Sequence, residues 1–214
     1  MATTLVNLRA KLNGEIGVDL DADTLPWSAT VRNNAISDGY AELWRVGVWK
    51  PATQTIATVD KTWIYALTSM RAAFRVEVLD TNGYIIDQYP FTVEDDGAGA
   101  YQLVLAIPTA SGLSLRVRGW TAFKSQFSGD SDPDDLDAEY NRIPLLKAKV
   151  ILYRQQLSRF MRYGERQQVP PEMTVTIDQL IASINAAERE FEVEAKRLAN
   201  RRPRTMLSSR VLAT

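Results

Sequence analysis

Asp130, Asp132 and Asp134 in GDSDPDDLDAEYN alternate with the spacing that opens an EF-hand calcium loop. The match stops where that loop is most demanding: Asp135 stands where the sharp turn needs glycine, and Asn141 where a bidentate glutamate closes the cage. The stretch is therefore read as a helix-leading loop or an electrostatic contact. A second acid group, Glu94, Asp95 and Asp96, has the residue types of a glycosidase, which needs two carboxyl groups at a defined separation. It falls at an expected hairpin tip, away from any cleft, where acids are simply solvated. Trp27, Trp44, Trp49, Trp63 and Trp120 are scattered over expected helices and strands, which suits core packing better than a sugar-stacking platform. Arg201, Arg202 and Arg204 are too few for a nucleic-acid signal and fit an acidic crevice on a protein partner better.

Other chemistries are closed by composition. The chain has no cysteine and no histidine, which removes thiolate nucleophiles, Cys-ligated metals and every His-based triad. Neither GxxxxGK nor GxGxxG after a strand occurs, and nothing calls for a cofactor or a metal, so the expectation is a non-enzyme. A net charge of −1 argues against a general nucleic-acid binder. The charge is uneven, however: from Arg142 onward fourteen Lys and Arg face seven Asp and Glu, while the ten residues 130–139 hold six acids. Such ends can attract each other across a subunit contact. No run of about 18 apolar residues exists and MATTLVNLRAKLNGEIG lacks a signal-peptide core, so we expect no membrane and a protein that stays in the cytoplasm where it is made.

The elements that must carry these residues begin with a long helix ending at Tyr163 and read from DAEYNRIPLLKAKVILYRQQLSRFMRY, residues 137–163. Pro144 suits its first turn, Gly164 its C-cap, and apolar residues cover almost two-thirds of its girth, wider than one neighbour needs. A short helix is expected over 4–16, capped by Thr4, and another over 27–46, capped by Ser28, with Gly39 marking a close contact or a bend. A last helix starts from the capping box Thr176-Ile-Asp-Gln179 and pairs with the long one as an antiparallel hairpin. Between Thr53 and Thr121 alternating β-branched and aromatic residues predict six strands, 55–59, 63–67, 73–79, 85–93, 101–107 and 113–120. Asp80-Thr-Asn-Gly83 and Glu94-Asp-Asp-Gly97 are their turn signals.

The fold class is thus α+β, a helical bundle of two N-terminal and two long C-terminal helices with an inserted antiparallel β-sandwich or barrel. The expected divisions are 1–50 and 140–199 for the bundle, 51–122 for the β module, 123–139 for the acidic loop and 200–214 for a basic tail.

This order, with NAISDGYAELWRVGVWK before the β module, SLRVRGW at its end and PLLKAKVILYRQQLSRF after the acidic loop, resembles the head-to-tail adaptor (connector) proteins of tailed bacteriophages. The resemblance spans most of residues 1–200 and implies a structural virion protein of the neck, assembled in the host cytoplasm. Copies form a ring, a dodecamer in that family, beneath the portal protein and above the next neck or tail component, with DNA passing through the lumen without sequence-specific binding. It implies a portal-docking tail, Arg201, Arg202, Arg204, Met206, Leu207, Arg210, Val211 and Leu212. It further implies an inter-subunit helix face, Leu145, Leu146, Ile151, Leu152 and Phe160, and lower-surface loops carrying Asp80, Asn82, Gly83, Asp95 and Asp96. The alternative reading is a receptor- or carbohydrate-binding β-sandwich of a virion.

Overall fold

A computed structural model describes residues 3–17, 27–97, 100–163 and 177–200, the side chains of Phe160, Arg162 and Tyr163 excepted. Residues 18–26, 98–99 and 164–176, the last with the expected C-cap Gly164 and the capping-box Thr176, lie outside these residues. The fold is α+β: four helices and seven strands in two antiparallel sheets. Two units divide the described chain, a helical one from residues 3–48 and 123–200 and a β one from 49–122.

Helix α1, Leu5–Ile16, buries Leu5, Leu8 and Leu12 at three- and four-residue spacing. Thr4 holds the N-cap position, but its side chain makes no capping bond. The loop after residue 129 does that work with its backbone, the Leu5 and Val6 amides donating to the carbonyls of Asp132 and Asp130 at 3.0 and 3.1 Å. Helix α2, Ala29–Arg45, is capped by Ser28, whose hydroxyl accepts from the Val31 amide. Helix α3, Arg142–Tyr163, starts later than the run of carboxylates before it. Helix α4, Ile177–Asn200, buries Leu180, Ile184, Ala187, Phe191 and Ala195 along one stripe. Early α3 meets late α4 and Val150 meets Leu180 and Ile184, so the two run antiparallel.

Helix α3 lies against all three of the others. Its girth is apolar because three neighbours cover it, with Leu145, Leu146, Ala148 and Leu152 packed into one core with Leu8, Leu12, Ile36, Tyr40, Leu43 and Phe191. At about 1.5–3 kcal/mol for each buried large side chain, this is the main term holding the unit together. Gly39 is where α2 and α3 touch: a Cβ there would sit 2.3 Å from the carbonyl oxygen of Pro144.

The β unit has strands β1 Lys50–Ala57, β2 Thr62–Leu67, β3 Ala72–Leu79, β4 Ile85–Gln88, β5 Phe91–Asp95, β6 Tyr101–Thr109 and β7 Ser114–Thr121. They form sheets of order β1-β7-β3-β4 and β2-β6-β5. The single strand expected over 85–93 is two, because the chain changes sheet at Tyr89-Pro90 and Pro90 has no amide to continue a ladder. The inner faces enclose Tyr65, Leu67, Val76, Val78, Leu103, Leu105, Leu115 and Val117. Gln54 ties β1 to the other sheet, its amide nitrogen donating to the Ala66 carbonyl and its oxygen accepting from the Thr68 amide, both at 3.0 Å.

Candidate functional site

Strand direction fixes which loops share an end of the sandwich. The chain comes in at Lys50 and leaves at Thr121, which are opposed residues of one ladder. At the other end β1 stops, β2 starts, β6 stops and β7 starts, joined by the bonds Thr58 N to Leu113 O and Lys61 N to Thr109 O. Since Leu79 opposes Ser114 and Asp95 opposes Tyr101, the turn 80–84 belongs to that far end and the turn 96–100 to the near one. The two sets of expected lower-surface residues, Asp80, Asn82 and Gly83 against Asp95 and Asp96, therefore lie at opposite ends. They cannot form one surface; sequence shows that both are hairpin turns but not which way each hairpin points.

The far end has its own character. Asp80 builds the turn by accepting the Asn82 and Tyr84 amides on one carboxylate oxygen, at 2.9 and 2.8 Å, and Gly83 takes φ +84°. Beside it Tyr84, Ile85 and Ile86 stand exposed on the edge strand β4, and Val59, Trp63, Ile64 and Ile107 on the β2 side. These seven are all of the large apolar side chains that the β unit leaves exposed among the described residues, and all lie in the half away from Lys50 and Thr121. Tyr84 reaches 71% exposure and Trp63 53%. Sequence reasoning passed over them, since each fits a strand pattern; only the sheet order shows that nothing covers them.

The near end carries acid. Glu94 accepts from the Thr92 hydroxyl, Asp95 from the Gly97 amide and Asp96 from the Ala100 amide, so the turn is held by its own carboxylates.

The outer face of the four-stranded sheet holds a buried acid among arginines. Glu77 is 1% exposed there, under the Nε atoms of Arg75 at 2.8 Å, Arg116 at 2.6 Å and Arg118 at 3.3 Å. The arginines themselves hide it. Burial pushes its carboxyl up, but the hydrogen bond from Arg116 and the charges of Arg118, Arg75 and Arg116 outweigh this and leave it below the usual range.

The acidic loop is used inside the helical unit. Asp130 pairs with Arg9 at 2.9 Å, which lowers its carboxyl. Asp132 is lowered to about 2 by Lys124, then by the amide and hydroxyl of Ser128. Asp134, buried, accepts from the Thr3 amide and the Tyr40 hydroxyl, both at 2.7 Å, and Asn141 donates to Thr3 Oγ1. Burial and Asp134 together raise the Tyr40 hydroxyl far above its ordinary value. Protein donors thus occupy the oxygens an ion would need, and no cluster that could hold a metal exists among the described residues. Within the chain the loop's acids pair with Arg9 and Lys124, not with the basic residues from Arg142 onward.

The inter-subunit helix face needs the same correction. Leu145, Leu146 and Leu152 are 1%, 1% and 0% exposed inside the chain's own core, and Ile151 is half-buried against it. A wide apolar girth signals many neighbours, and here α1, α2 and α4 supply them. The basic residues of α3 are also engaged, Arg142 with Glu15 and Glu190, Lys147 and Arg154 with Glu188. Phe160 and the docking residues Arg201, Arg202, Arg204, Met206, Leu207, Arg210, Val211 and Leu212 lie outside what is described. Of the tryptophans, Trp27 is buried beside Tyr153 and Trp44 sits on α2 in the helical unit, while in the β unit Trp49 and Trp120 are 6.3 Å apart near the chain's way in and out and Trp63 is at the far end. Among the described residues no helix is long and apolar enough to cross a membrane.

No family model and no curated protein matches the chain. Among solved structures, a chain from the neck of an empty GTA particle computed with C6 symmetry is similar over 85% of this chain and 92% of that one, at 11% identity and a TM-score of 0.32.

Proposed function

We propose that this chain is a structural protein of a virion neck, a head-to-tail adaptor. Copies form a ring beneath the portal and join the capsid vertex to the next neck or tail component, and DNA passes through the lumen. The observation that carries this reading is the far half of the β unit: seven large apolar side chains, exposed on the β4 edge and on the β2 side and remote from the chain's connections, suit docking better than a reaction. In the proposed assembly that end meets the next component, and Asn200–Thr214 reaches the portal, with Met206, Leu207, Val211 and Leu212 as apolar anchors among four arginines. The resemblance of the sequence order to phage adaptors supports the same placement.

Electron microscopy of the full chain mixed with portals of the same virus tests it. A coaxial ring on the portal is expected, lost on truncation before Asn200; portals left bare by the intact chain refute the reading. In the ring, replacing Tyr84→Ser, Ile85→Thr and Ile86→Thr should leave portal attachment intact and abolish capture of the next component. The second reading, a receptor- or glycan-binding module, is favoured by Trp63 and Tyr84, which are exposed aromatics at that same end. It requires glycan or receptor binding that Trp63→Ala and Tyr84→Ala remove.

A further inference from the structure

Arg75 and Arg118 oppose each other across β3 and β7, and Glu77 opposes Arg116. Like charges directly opposite destabilise a ladder, so a pair of facing arginines is a local conflict that the fold tolerates for some reason. Glu77 answers only part of it. Three guanidinium groups share one carboxylate, each through Nε, which leaves the face with a net charge of +2. Their terminal nitrogens have no further hydrogen bond or ion pair among the described residues, and the side chains are 42%, 28% and 39% exposed for Arg75, Arg116 and Arg118. Around them Thr53 and Thr55 of β1 and Gln88 of β4 add no charge. A planar donor fork held by Nε and open at its tip is built to take carboxylate oxygens end-on, through its two terminal nitrogens.

The same unit carries the complementary charge elsewhere. Glu94 and Asp95 stand exposed at the end of β5, leading into its turn to β6, each with one carboxylate oxygen engaged locally and neither in an ion pair among the described residues. That turn belongs to the three-stranded sheet, whereas the arginines are on the outer face of the other, so sheets stacked about 10 Å apart separate the two within one copy. The acids lie at the strand ends near Lys50 and Thr121, whereas the arginines sit at mid-sheet, Arg75 and Arg118 toward those ends and Arg116 toward the other. A rotation without rise, about an axis inclined to the strands, brings one against the other in a neighbouring copy. That is the head-to-tail operation that closes a ring.

We propose that the Arg75–Arg116–Arg118 face of one copy receives the Glu94–Asp95 turn of a second copy. Glu77 acts as the fixed counter-charge that holds the three guanidinium groups in place before the neighbour arrives. This inference rests on the ring reading above.

The absence of native cysteine allows a direct test on the full chain. Thr53→Cys marks the arginine face and Ala100→Cys the acidic turn, each leaving every charge in place. With a flexible bis-maleimide, the mixture of the two variants should give cross-linked pairs, and each variant alone should not. Adding Arg75→Glu and Arg118→Glu to the first variant should cut the yield at least tenfold, and Glu94→Arg with Asp95→Arg on the second should restore it. Rings, free or on portals, that neither cross-link nor respond to charge reversal overturn this contact and leave the ring intact. A chain that forms no ring in either condition overturns both. Rings unchanged by Arg75→Glu and Arg118→Glu, with loss of retained DNA instead, would assign the face to nucleic-acid phosphate and overturn the proposal.

Discussion

Gly39→Ala sets two effects of known size against each other. Alanine in a helix interior is favoured over glycine by about 1 kcal/mol, so propensity alone predicts a more stable protein. Sterics predict the reverse. The added Cβ would sit 2.3 Å from Pro144 O, 3.2 Å from Pro144 C and 3.3 Å from Ala148 N, all backbone atoms of the first turns of α3 that cannot swing aside. Ordinary contacts lie at about 3.5 Å or more, so α2 and α3 must part by roughly 1 Å where Tyr40 and Leu43 pack on Leu145 and Leu146. Overpacking of this kind costs about 1–3 kcal/mol, and a radial gap near 1 Å forfeits up to about half of each affected contact's attraction. Sterics therefore win, with a net loss of about 1–2 kcal/mol and a fall in melting temperature of about 2–8 °C for a chain of this size. Circular dichroism at 222 nm follows the helical transition directly. An unchanged or raised melting temperature would refute the claim that α2 and α3 touch backbone to backbone at this residue.

Three further outcomes follow from single groups. Glu77→Gln leaves three guanidinium groups without their counter-charge; because they are partly exposed, the loss should be about 2 kcal/mol, less than for a fully buried pair, read from the urea midpoint at low salt. Tyr40→Phe strips a buried carboxylate of its 2.7 Å donor and should cost about 1–3 kcal/mol in the same measurement. Asp132, held at about 2 in the folded chain against about 3.9 when unfolded, contributes stability that is present above about pH 4 and disappears as pH falls through 2. Asp132→Asn should therefore be less stable than the parent at pH 5 and equal to it at pH 2; a deficit persisting at pH 2 would show that the loop is held by shape and not by charge.

Helix existence, the Asn-Gly turn and the inserted β module were legible because each rests on local chemistry: 3.6-residue stripes, a glycine at positive φ, alternation along strands. Partnership was not. The girth of α3 reads the same in sequence whether Leu145 and Leu152 meet α1, α2 and α4 or another subunit. Ile85–Val93 reads as one strand because nothing before Pro90 announces a change of sheet. The partners of Asp130 and Asp134 could not be read from the sequence because Thr3, Arg9 and Tyr40 lie more than ninety residues away in the chain. Glu77 was hardest to see, since its burial comes from side chains on two strands that flank it only in the folded sheet.

The clasp of residues 130–134 on the start of α1 also orders events in time. The helical unit is discontinuous: Thr3 bonds to residues 131 and 138 positions later, and α1 has no capping side chain of its own. On a ribosome its first two helices must wait while residues 49–122 emerge, and those form a contiguous β unit whose pairings all close within themselves. The inserted unit is therefore complete before the bundle that hosts it can begin to shut. Bringing Asp130–Asp134 back onto a helix end made more than a hundred residues earlier is a long-range loop closure, and its entropy opposes the shutting of the bundle.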